Sequence, residues 1–160
     1  MNDKELHNKV NAASFKLMKT IGVISPVEVL MEIGVLSKTD YENWRNGRVP
    51  YLEKVCKINL RKLSKINREI RVFAKKNNLK ESWTFYKQWG RKNKKGSNGK
   101  NAPAIKLQFS KSGNEDVERQ YAMHYVSAKT LDENKAQREI TNPSKSKAEI
   151  NTLTPDHKTE

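Results

Sequence analysis

Apolar residues recur at helical spacing through the first half of the chain. Leu6, Val10, Phe15 and the Leu17–Met18 pair form a loose stripe that predicts a helix over 3–19, with Gly22 as its stop. Ser25-Pro26-Val27-Glu28 has the spacing of a capping box, with proline at the first helical position, where its missing N–H costs nothing. Val27, Leu30, Met31 and Ile33 supply the buried side of this second helix, Ile24 and Val29 fit a hydrophobic staple, and Gly34 can end it. The same grammar repeats at once. Ser37 caps a third helix, Leu36 and Tyr41 take the staple positions, Tyr41 and Trp44 share a face, and Gly47 closes it. Two helices joined by so short a turn must cross steeply.

A long fourth helix is expected from Pro50 to about Asn78. Leu52, Val55, Cys56, Leu63, Ile66, Ile70, Phe73 and Ala74 mark one side of it, and Lys54, Lys57, Arg61, Lys65, Arg68 and Lys75 the other. Trp83, Tyr86 and Trp89 also fall at helical spacing and predict a short helix ending at Gly90. Residues 105–109 alternate apolar and polar, which reads as a short strand whose partner the sequence does not reveal. Asn114 can cap a last helix to about Val126, with Val117, Tyr121, His124 and Tyr125 on its apolar side. The fold class is therefore mainly α. A helical domain covers 1–90, a basic flexible linker 91–104, a strand-turn-helix extension 105–126 and a disordered tail 127–160.

Charge changes the picture more than composition does. The chain of 160 residues carries a net charge of +14, with 35% hydrophobic residues, enough for a modest core. The first 53 residues are neutral overall. Residues 54–111 hold eighteen Lys/Arg against two acids, Glu69 and Glu81, and the remainder is slightly acidic. A balance this local predicts a basic surface rather than a diffusely basic protein, and hence a phosphate-rich partner or an anionic membrane. No run of 18 apolar residues suggests a transmembrane helix, and the polar start MNDKELHNKVNAASF has no signal-peptide core, so a cytoplasmic protein is expected. The single cysteine, Cys56, leaves no internal disulfide and no multi-cysteine zinc site, and reads as buried filler. No metal-ligand spacing and no glycine-rich phosphate loop is present, so neither a cofactor nor catalysis is expected. His124 beside Tyr121 is read as a partly buried histidine, not an acid/base pair.

The stretch VEVLMEIGVLSKTDYENWRNGRVP resembles the helix-turn-helix of bacterial phage-repressor-type DNA-binding domains. The likeness lies in Leu30, Ile33, Gly34-Val35, Ser37, Trp44 and Arg45-x-Gly47-Arg48 before Pro50. Leu36 is one residue more than the family's turn has, and Arg45 stands where the family usually has glutamate. The resemblance implies that the third helix enters the major groove, with Lys38, Thr39, Glu42 and Asn43 as base-reading candidates, Asn43 as a bidentate partner for adenine. Arg45 and Arg48 would touch phosphate. The other reading is that helices two and three only pack Leu30, Ile33, Tyr41 and Trp44 into a core.

The cations that follow have a plainer logic. Like charges at i, i+4 repel, and solvated faces usually mix signs. Lys54, Lys57, Arg61, Lys65, Arg68, Lys75 and Lys76, continued by Arg91, Lys92, Lys94, Lys95 and Lys100, therefore favour polyphosphate contact. For the aromatics burial is favoured, with at most one edge, that of Trp89, left for stacking on a base. The expected function is nucleic-acid binding, DNA ahead of RNA. The alternatives are an RNA-binding protein, or a non-catalytic adaptor for an acidic protein or anionic membrane surface.

Overall fold

The computed structural model describes residues 1–90 and 104–141 and divides into two units, 1–127 and 128 onward. In the first unit, α1 (Asp3–Thr20) leads through Gly22 into β1 (Val23–Ile24), α2 (Pro26–Glu32) and α3 (Lys38–Arg45). A 3-10 turn, Leu52–Val55, precedes α4 (Leu60–Lys76) and β2 (Lys80–Trp83). After residue 104 come α5 (Glu115–Ala122) and β3 (Met123–Val126). The described part of the second unit is one helix, α6 (Ala128–Thr141).

The helix starts follow from their caps. Asn2, Ser25, Ser37 and Asn59 each accept a backbone N–H of the first turn through the side chain, which satisfies a donor the helix cannot. Gly34 and Gly47 end α2 and α3 at φ of +79° and +76°, a region costly for other L-residues. The expected mainly helical class holds, and α1, α2 and α3 lie where the periodicity put them.

The structure corrects several expectations. The fourth helix does not run from Pro50; it starts at Leu60. The Leu52 and Glu53 amides donate to Gln108 and Phe109, and the Lys57 amide donates to Val35, which ties this stretch to other parts of the chain before Asn59 caps α4. The aromatic stretch 82–90 is not helical. It finishes β2 and continues extended, so that Lys87 pairs with Lys106 in an isolated bridge and Leu107 donates to the Tyr86 carbonyl. That bridge supplies the partner of the expected 105–109 strand, and among the described residues no more of that strand than the bridge forms. The last helix stops at Ala122, and Met123–Val126 becomes the central strand of an antiparallel sheet ordered β1-β3-β2. Finally, residues expected to be a disordered tail from 127 onward include the helix α6.

The core of the first unit is one cluster. Leu6 and Val10 of α1 and Leu63, Ile66 and Ile70 of α4 are sealed from solvent, each contributing roughly 1.5–3 kcal/mol by burial. Trp44 is 0% exposed; its indole N–H donates to the Gln108 carbonyl at 2.8 Å and its ring touches Tyr86 and Phe109. Phe109 stacks on Tyr121, whose hydroxyl donates to Glu53 at 2.9 Å. Residues 105–126 thus contribute to the core and are not an appended extension.

Candidate nucleic-acid interface

The exposed face of α4 carries Arg61, Lys65, Arg68 and Arg71, at positions i, i+4, i+7 and i+10 of one helix. With Ser64, Asp3 of α1 and Gln120 of α5 they line one surface depression of about 400 Å³. The opposite face of the same helix is apolar and buried, so packing against α1 fixes the direction of the cations. Among the described residues, Asp3 is the carboxylate of this depression. Its Oδ2 lies 3.0 Å from Arg61 and 3.6 Å from Lys65, and Arg68 and Arg71 line the same wall. Arg71 is not one of the cations that sequence pattern singled out, though its spacing from Arg61 and Arg68 puts it on their face. Glu69, the acid within α4, is turned to the His7 side and accepts from its imidazole at 2.7 Å.

The remaining sequence candidates divide by position. Lys75 and Lys76 are exposed in the last turn of α4, where they also complement the helix dipole. Lys54 and Lys57 are exposed but lie before α4, so the expected single row of cations is broken at Asn59. The Lys57 amide is bonded to Val35, which sets that lysine beside the turn between α2 and α3. Arg91, Lys92, Lys94, Lys95 and Lys100 lie outside the described residues.

On α3, Lys38, Thr39 and Glu42 are exposed, while Asn43 is half-buried. Asn43 Oδ1 accepts from Arg48 Nη1 at 3.1 Å, so the amide expected to meet adenine already has a partner. The Ser37 hydroxyl accepts the Asp40 amide at 3.1 Å, as a cap should. Arg45 does not extend into solvent. Its guanidinium lies 4.9 Å from the Tyr86 ring and 4.6 Å from the Trp89 ring, and Nε has no hydrogen-bond partner among the described residues. A delocalised cation suits such a slot, and Arg45 thereby joins the aromatic cluster.

Of Trp83, Tyr86 and Trp89, for which burial was expected, only Tyr86 is buried. Trp83, Phe85 and Trp89 are 50%, 39% and 42% exposed. Trp89 makes a T-shaped contact with Tyr41 and has the Arg45 guanidinium over its ring. Sequence spacing missed this because it assumed a helix. In the extended chain Tyr86 turns in while Phe85 and Lys87 turn out.

Cys56 and His124 each have a partner within the fold. Burial pushes the Cys56 thiol up to about 12, with Glu53 adding to the rise, and its Sγ faces the Leu52 carbonyl. His124 lies on β3 rather than on a helix, and its Nε2 pairs with the Tyr86 hydroxyl at 3.0 Å, not with Tyr121. Burial lowers the His124 pKa and raises that of Tyr86 to about 12. Among the described residues no group of three His, Cys, Asp or Glu side chains converges on a metal-sized site, and no helix is long and apolar enough to cross a membrane. Compared with known proteins, the chain matches no family model, no curated protein and no solved structure.

Proposed function

We propose that this protein binds nucleic acid, gripping the phosphate backbone along α4, with duplex DNA as the favoured ligand. The observation that carries the reading is the convergence of Arg61, Lys65, Arg68 and Arg71 on one depression where, among the described residues, Asp3 is the opposing carboxylate. Four cations on one helix face repel one another, and a polyanion removes that cost while releasing its own counterions. Arginine in three of the four positions suits phosphate, because its planar fork matches two oxygens at once.

In this reading α3 is the element that approaches bases. Lys38 and Thr39, both exposed, lie at the helix N-terminus, the end a helix-turn-helix inserts into the major groove. Lys57, next to the α2–α3 turn, and Arg48 would steady the backbone on either side. RNA is the second reading, favoured by the half-exposed Trp83, Phe85 and Trp89. An adaptor for an acidic protein or membrane ranks behind both.

The test is a competition. Labelled duplex DNA is displaced by unlabelled duplex DNA, structured RNA or anionic vesicles at equal charge. Displacement by duplex at the lowest concentration supports the reading. Displacement by vesicles as readily as by either nucleic acid would overturn it.

A further inference from the structure

The first unit carries a second basic surface, chemically unlike α4. Lys87 and Lys106 are directly opposed across an antiparallel bridge, a placement that sends both side chains to one face. Like charges so placed destabilise a strand pair. Each ammonium here leans over an aromatic ring: Lys87 lies 5.5 Å from the Phe85 centroid and Lys106 5.7 Å from that of Trp83. The two rings are 6.1 Å apart, and both are substantially open to solvent. Behind the same strands Tyr86 and Leu107 are buried, so core packing fixes the outward direction of this quartet. Trp83 and Lys106 also form part of the wall of a depression of about 600 Å³ that includes Gln108, Arg119, Glu115 and Asp116.

From this arrangement we infer that Trp83 and Phe85 are a stacking platform for an unpaired nucleic-acid strand, with Lys87 and Lys106 on its phosphates. The inference rests on nucleic-acid binding as the general function but not on α4. Rings of this exposure can stack on bases of any sequence, and the two ammonium groups, each over one of the rings, are within reach of the phosphates of a strand stacked there. The composition of the depression selects this occupant over the others. Glu115 and Asp116 repel the charges of an anionic bilayer or an acidic peptide as they do phosphate, but neither of those ligands need bring planar groups to stack on the rings. A base entering beside Trp83 instead brings exocyclic amino groups that those carboxylates can accept. Glu118, also in that wall, already accepts the Phe109 and Ser110 amides.

The experiment uses the full chain and a labelled single strand of about twelve nucleotides, with a duplex of the same length in parallel. Trp83→Ala and Phe85→Ala change exposed side chains, and circular dichroism confirms that the variants are folded. Each is expected to weaken single-strand binding roughly tenfold and to leave duplex binding within about twofold. Lys87→Glu with Lys106→Glu should do the same with a steeper loss. An Arg61→Glu, Arg68→Glu variant separates the two surfaces. It should abolish duplex binding while Trp83 still binds the single strand, seen as fluorescence quenching that the wild type shows and Trp83→Phe loses. Single-strand affinity indifferent to both aromatic changes would overturn the platform even if duplex binding stands. Loss of vesicle or acidic-peptide binding, in place of single-strand binding, would overturn it too.

Discussion

Asp3 Oδ2 lies 3.0 Å from the Arg61 guanidinium and 3.6 Å from the Lys65 ammonium, so one carboxylate from α1 holds down two of the four cations on the α4 face. It competes with any phosphate for them. Asp3→Asn should therefore tighten binding of duplex DNA by about two- to fivefold, the scale of an exposed ion pair. Fluorescence anisotropy at low salt checks it; weaker binding by the variant would mean that Asp3 positions the cations rather than masking them.

The Trp44 indole joins α3 to the 105–110 segment through the Gln108 carbonyl and lies at the centre of the aromatic cluster. Trp44→Ala removes that hydrogen bond and opens a cavity where solvent cannot reach. A loss of roughly 3–5 kcal/mol in urea unfolding is expected. Tyr121→Phe removes only the hydroxyl on Glu53 and should cost about 1 kcal/mol.

Two glycines separate backbone strain from crowding. Gly34 has φ +79° and open space for 4 Å around the point where a Cβ would sit, so Gly34→Ala tests the left-handed backbone alone and should cost about 1–2 kcal/mol. At Gly47 a Cβ would fall 2.6 Å from the Gln88 side chain, so Gly47→Ala should cost more than Gly34→Ala in the same thermal scan. Equal losses would mean that Gln88 moves aside freely.

His124 links stability to pH. Burial holds its folded-state pKa below the ordinary 6.5, so the unfolded chain binds the proton first. The stability it contributes is complete above pH 6.5 and is lost as pH falls through that value toward the lower folded-state pKa. Thermal melts from about pH 7.5 to 5 should show a decline that His124→Gln makes shallower, since glutamine can still bond the Tyr86 hydroxyl without titrating. Parallel curves for the two proteins would assign the decline to other groups.

Local chemistry was legible in the sequence wherever local chemistry decided the structure. Ser25 and Ser37 announced their helices because a side-chain cap acts within one turn. The sheet was not legible. β1 is two residues long, β2 is exposed along its whole length and so has no alternation to read, and β3 continues the Val117-Tyr121-Tyr125 spacing of a helix. Pairing between segments about 100 residues apart, Val23 with Val126, settles them. The α4 cations were legible as a row because period and charge coincide, whereas the break before Leu60 was not, since it comes from distant carbonyls holding Leu52, Glu53 and Lys57. The open platform of Trp83 and Phe85 was hidden for the same reason as β2.

The most direct measurement of the central claim is the salt dependence of duplex DNA binding for the wild type and the Arg61→Ala, Arg68→Ala variant. Four phosphate contacts from α4 give a log–log slope of about −3.6 or steeper, a loss of roughly 150-fold between about 50 and 200 mM salt. The variant should be shallower by about two units at every DNA sequence tried. A wild-type slope near zero, or one that the two substitutions leave unchanged, would contradict the assignment of the phosphate grip to α4.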